Sequence, residues 1–159
     1  MSRKSKAFDF GRWIEAYRTV EARLFQYEAI RQAVIEARAD SITIHHELDG
    51  SSRPLGSHSD RTAVAALKEL SPLAAVVIPC GKRDVETVEK PEAWLEVCRF
   101  AFSKGGEVAV RRFAKGEHYL VTCRELYISQ AKYSVIAKET VMQGAIMAAY
   151  KHIVKPMDE

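Results

Sequence analysis

Ser129, Gln130, Lys132, Ser134 and Lys138 fall within one short stretch near the end of the chain, and their types and spacing suit contact with a polyanion. A serine at the start of a helix can accept a hydrogen bond from a first-turn amide that has no partner within the helix. A helix begun at Ser129 would then turn Gln130, Lys132 and Ser134 outward, with Lys138 one turn on. Glutamine can bond adenine through two hydrogen bonds, lysine can donate to guanine or to a phosphate, and the apolar Val135 could meet a thymine methyl. Upstream, Arg111, Arg112 and Lys115 carry charge without base-reading geometry. Such residues suit phosphates, which supply affinity and position more than sequence recognition.

The charge distribution agrees. Residues 99–138 hold eight Lys or Arg against three acids, a net of +5, so the rest of the chain carries −2 of the overall +3. A polyanion partner and a solvated basic face are the two readings of that asymmetry.

Catalytic constellations are missing from the sequence. It has no phosphate-cradling glycine loop, no G-x-S-x-G elbow and no H-E-x-x-H, so the chain is expected not to be an enzyme. Glu117 and His118 are adjacent and would point in different directions on a helix, and DVETVEK reads as a solvated acidic stretch rather than a two-carboxylate metal site. His45, His46 and His58 lack the i, i+4 spacing and the companion ligands of a metal site, so neither metal nor cofactor is expected. Cys80, Cys98 and Cys123 are odd in number and include no C-x-x-C pair, which predicts reduced and mostly buried thiols.

The elements that would position these residues are helical. Trp13, Tyr17, Val20, Leu24 and Tyr27 recur at spacings of four and three, and the stripe drifts on to Ile30 and Val34, predicting one long amphipathic helix over 8–38. A stripe of that length must bury itself against the rest of the chain or against a second copy, which makes a homodimer one expected partner. Residues 42–58 are rich in Gly, Ser and Pro and read as a linker. Ser59 or Asp60 can cap a helix through RTAVAALKEL that ends near Pro72. LAAVVI fits a buried strand and a short helix equally, and PCGKRD reads as a turn. A further helix is expected from Pro91 to Gly105-Gly106, burying Trp94, Leu95, Val97, Cys98 and Phe102. A short basic segment, EVAVRRFAKG, then ends at Gly116. The fold class this predicts is mainly α. It is a helical bundle of two parts, a long N-terminal helix and linker over 1–58 and a helical domain over 59–159.

Residues 117–141 fit a helix-turn-helix. Small Cys123 stands where the two helices approach, Leu126 and Ile128 where the turn enters the core, and Tyr133 and Ile136 on the buried side of the second helix. Tyr127 occupies the turn position that favours glycine.

SHSDRTAVAALKEL, followed some way on by ELYISQAKYSVIAKETVMQGAIMAAY, resembles phage-encoded transcriptional regulators of the ArpU/RinA type, whose C-terminal region is similar to region 4 of sigma factors. The resemblance implies sequence-specific binding of double-stranded DNA and control of phage or prophage transcription. It also implies contact with host RNA polymerase. On the matching positions Ser129, Gln130, Lys132, Ser134 and Lys138 would face DNA and Tyr133 would be the core aromatic. The sequence departs from the pattern at Val135, where a basic residue is usual, and in VIPCGKRD. The last helix runs on through GAIMAAYKHIV, with Ile146, Ala149, Tyr150 and Ile153 on one side and small Gly144, Ala145 and Ala148 elsewhere, allowing close packing on the N-terminal helix.

With 159 residues, of which 47% are hydrophobic and 9% aromatic, the chain can bury a core. No run approaches the roughly 18 to 20 apolar residues that cross a bilayer, and MSRKSKAFDF has no secretion-signal core, so a cytoplasmic location without a membrane partner is expected. The alternative to DNA binding is a non-enzymatic helical interaction module, such as a phage packaging or assembly protein.

Overall fold

The computed structural model describes residues 10–47 and 71–154. They are mainly helical, with one small two-stranded sheet. In chain order the elements are α1 (Phe10–Phe25), α2 (Tyr27–Glu47), β1 (Ala75–Cys80), β2 (Asp84–Glu89), α3 (Pro91–Ala109), a π-helical turn (Val110–Ala114), α4 (Tyr119–Glu125) and α5 (Gln130–Tyr150). The expected helix through RTAVAALKEL and the expected domain boundary after residue 58 lie outside the described residues, as does the linker beyond residue 47. Residues 42–47, expected to be part of that linker, instead complete α2. Among the described residues no helix is long and apolar enough to cross a membrane.

The described residues form two compact units, one of residues 10–28 and 93–154 and the other of 29–47 and 71–92. In the first, α1 buries Ala16, Val20 and Leu24, each four residues after the last. The stripe that predicts a single helix over 8–38 is divided at Gln26, although neither Gly nor Pro is present there. The aromatics on either side of the break are anchored separately. Phe25 stacks edge-on with Phe113, with centroids 4.8 Å apart, and Tyr27 with Phe102 at 5.1 Å.

Small residues bring the helices of this unit together. A Cβ at Gly144 of α5 would stand 2.7 Å from Val20 of α1 and 3.4 Å from Ala101 of α3. Gly105 of α3 lies against Thr140 of α5 in the same way, and a Cβ there would also come within 2.5 Å of Ala109. Thr140 cannot swing aside cheaply, because its hydroxyl donates to the Ile136 carbonyl at 2.8 Å. Gly105→Ala is therefore expected to overpack the crossing and destabilise the fold by about 1 to 3 kcal/mol, measured by urea denaturation. An unchanged midpoint would show that the helices separate freely.

Gly105-Gly106 does not end α3 as its sequence predicts. Gly106 takes φ 63° and ψ −147°, which kinks the helix, and the helix then resumes to Ala109 because Val108 and Ala109 have a core to enter. Gly116, at φ 63°, closes the segment that follows.

In the second unit, LAAVVI resolves to a strand. β1 pairs antiparallel with β2, with Val76 opposite Val88 and Ile78 opposite Glu86, and the turn between them starts at Gly81 with φ 74°. DVETVE is a strand and not the expected solvated lead-in to α3. Its alternation is hidden because Asp84 and Glu86 share a face with the buried Val88 while Val85 is 71% exposed. Pairing with an apolar partner strand decides its conformation. Glu92 accepts from Arg38 at 2.6 Å and from the Leu73 amide at 2.9 Å. Burial alone would raise the Glu92 carboxyl, yet these hydrogen bonds hold it below the ordinary carboxylate range.

Candidate nucleic-acid interface

The candidate residues sit on α4, α5 and the π-helical turn, all within the first unit. His118 caps α4, its Nδ1 accepting from the Leu120 amide at 3.3 Å. The helix stops at Leu126 because Tyr127 adopts φ 53°. The Ile128 amide then returns to the Cys123 carbonyl at 3.1 Å, a left-handed stop in which glycine is the usual residue. Tyr127 remains 95% exposed, so no packing compensates its backbone conformation.

Ser129 starts α5 with its hydroxyl accepting from the Lys132 amide at 3.1 Å. The buried side of the pair is a compact cluster: Val108, Cys123 and Tyr133, with Leu126, Ile128 and Ile136 packed against them. Cys123 and Tyr133, expected inside from their spacing, are buried, and Leu126, Ile128 and Ile136 are partly buried beside them. In the first turns of α5, Gln130, Lys132, Ser134, Val135 and Lys138 are all exposed.

The three upstream cations differ from one another. Lys115 is exposed. Arg111 is held by three carboxylates: Glu107 at 2.7 Å, Glu117 at 3.2 Å and Glu125. These are the three acids of the basic segment, and all converge on one guanidinium that ties α3 to both ends of α4. The same contacts push the Arg111 pKa upward, the Glu125 hydrogen bond contributing most. Glu117 is held below the usual range, first by the Thr122 hydroxyl that donates to it at 2.5 Å and then by Arg111. Spacing gives a hint of this network only for Glu107, which stands four residues before Arg111.

Arg112 is enclosed by rings. Its guanidinium lies 5.7 Å from the Phe25 centroid, 5.3 Å from Phe113 and 5.8 Å from Tyr133, and one terminal nitrogen donates to the Tyr133 hydroxyl at 3.4 Å. The turn that carries both arginines contains an extra residue per turn, closed by Lys115 N donating to Val110 O at 3.0 Å, and this directs Arg111 and Arg112 to separate partners. The sequence expectation placed both at phosphates, and the structure places both within intramolecular contacts.

No family model matches the chain, and no curated protein or solved structure matches it. Its function therefore rests on the geometry of its own residues.

Among the described residues no group of three His, Cys, Asp or Glu is placed to hold a metal ion. All three cysteines are free, and, as expected, most are buried: Cys98 and Cys123 lie inside and Cys80 is exposed on β1. Burial pushes the Cys98 thiol up to about 12, and its sulfur donates to the Arg23 carbonyl at 3.6 Å, so it stays protonated and unreactive.

Proposed function

We propose that the chain is a sequence-specific binder of double-stranded DNA that regulates phage or prophage transcription, with α4 and α5 as its helix-turn-helix. One observation carries the reading. The start of α5 exposes Gln130, Lys132, Ser134 and Lys138 while Tyr133 and Ile136 anchor the helix in the core, beneath a short helix joined through a tight, capped turn. A helix held in this way offers its first turns to the major groove, where side chains meet base edges.

The arginine contacts divide the labour differently from the sequence expectation. Arg111 serves to fix α4 against α3, which leaves Lys115, Lys132 and Lys138 as the exposed cations of the proposed surface. Gln130 is the main candidate for base reading and Ser129 and Ser134 for neutral contacts to phosphate oxygens. The phage assignment and contact with RNA polymerase rest on the sequence resemblance.

Selection of bound sites from a random duplex pool tests this reading. An enriched motif is expected from the wild type. Gln130→Ala should relax preference at one position, at a cost of about 1 to 3 kcal/mol there, while Lys132→Ala should weaken all sites more evenly. Unchanged affinity and preference in both variants would remove α5 as the reading helix.

A second reading has its own observation. Val135, Met142, Ile146 and Tyr150 are exposed along α5, the last at 78%, and an apolar stripe suits a protein partner or a second copy. On that reading the helix pair only packs, and the duplex pool yields no motif.

A further inference from the structure

Behind the outward edge of α5 lies a cavity of about 160 Å³, lined by Tyr17 and Glu21 of α1, Arg112 of the π-helical turn, and Tyr133, Ser134 and Lys138 of α5. Its electrostatics are unfinished. The Arg112 Nε is buried and has no hydrogen-bond partner. Among the described residues neither Arg112 nor Glu21 has an ion-pair partner, although both line the same space. A buried donor on a charged group is rarely left unpaired, and in native proteins such a group points to a ligand or a water. The ring contacts on Arg112 hold its planar fork in place, which favours an oxyanion over a solvated ion. Burial and the neighbouring Glu21 raise the Tyr17 pKa, so its hydroxyl remains a donor.

Glu21 decides which oxyanion. A carboxylate repels sulfate and phosphodiesters, which have no proton at neutral pH, but accepts a hydrogen bond from a phosphate that retains one. We propose that this cavity binds a protonated phosphate, either inorganic hydrogen phosphate or a monoester in its singly protonated form. Arg112 and Lys138 supply the cations, the Tyr17, Tyr133 and Ser134 hydroxyls donate to its oxygens, and Glu21 accepts a hydrogen bond from its P–OH group. Because a phosphodiester is disfavoured, the ligand is a small molecule and not the DNA backbone. Ser134 and Lys138 also belong to the proposed duplex surface, so, resting on that reading, an occupied cavity draws Lys138 from the duplex and weakens binding.

Titration calorimetry on the full chain, with inorganic phosphate and sulfate at ionic strength matched by chloride, tests the site. Wild type should bind phosphate saturably and sulfate at least about tenfold more weakly, and Glu21→Gln should remove that difference. Arg112→Lys, which keeps the charge and loses the fork, and Lys138→Ala should each weaken phosphate by roughly tenfold. Arg99→Gln, at an exposed position on α3, should leave it unchanged. Absence of saturation, equal affinity for sulfate in the wild type, or wild-type phosphate affinity in Lys138→Ala together with an undiminished preference over sulfate in Glu21→Gln would overturn the proposal, even if Arg112→Lys fails to fold. Duplex titrations separate the two readings. Phosphate binding by a chain with no duplex affinity overturns the DNA reading and keeps the cavity, whereas duplex binding without phosphate saturation overturns the cavity alone.

Discussion

Replacing Phe113 by alanine is expected to destabilise the protein by about 3 to 5 kcal/mol, the largest effect of any single substitution considered for this fold. Phe113 is 2% exposed and sits in the π-helical turn between α3 and α4. Removing its ring deletes the edge-on partner of Phe25 at 4.8 Å and one of the three rings that enclose the Arg112 guanidinium. The void cannot close easily. The turn is fixed on one side by the three carboxylates on Arg111 and on the other by the Glu117 amide donating to the Arg111 carbonyl at 2.8 Å. A domain of ordinary stability has only about 5 to 15 kcal/mol in total, so the variant should lose helicity at much lower urea, followed by circular dichroism. A loss below about 1 kcal/mol would show that the surrounding helices collapse into the space.

On the proposed DNA reading, duplex affinity is expected to fall about 40-fold between 50 and 200 mM salt. Displacement of condensed cations gives a slope of roughly −0.9 per neutralised phosphate, and the three exposed lysines, Lys115, Lys132 and Lys138, give a total near −2.7. Ser129, Gln130 and Ser134 add hydrogen bonds without displacing cations. Lys132→Ala should bring the slope to about −1.8, as read by fluorescence anisotropy across a salt series. A slope near zero would instead indicate an apolar surface of the kind that Val135, Met142, Ile146 and Tyr150 offer.

Much of the helical architecture was legible because it rests on local chemistry. The cap at Ser129, the buried positions of Cys123, Tyr133 and Ile136, and the start of α3 at Pro91 all follow from residue type and short-range spacing. What stayed hidden depends on partners distant in sequence. β2 carries two carboxylates on its inward-facing side, so only its pairing with β1 makes it a strand. The break at Gln26 needs Phe102 and Phe113 to anchor the flanking rings. Arg111 and Arg112 look alike in sequence, yet the turn between α3 and α4 sends one to carboxylates and the other to aromatic rings, and no periodicity encodes that extra residue. Tyr17 and Glu21 belong to the α1 stripe by spacing, and their place beside Arg112 appears only when α1 packs on α5.

The unbroken course of α5 has a mechanical consequence. Its 21 residues form a rod about 30 Å long, gripped at Gly144 by α1 and at Thr140 by α3, with Gln130 and Lys132 at the end beyond the grip. A rod clamped in this way has no hinge between its ends. A tilt imposed near Tyr150 would have to break the contacts at Gly144 and Thr140 before it reached Gln130, so the grip fixes the angle at which the first turns are held.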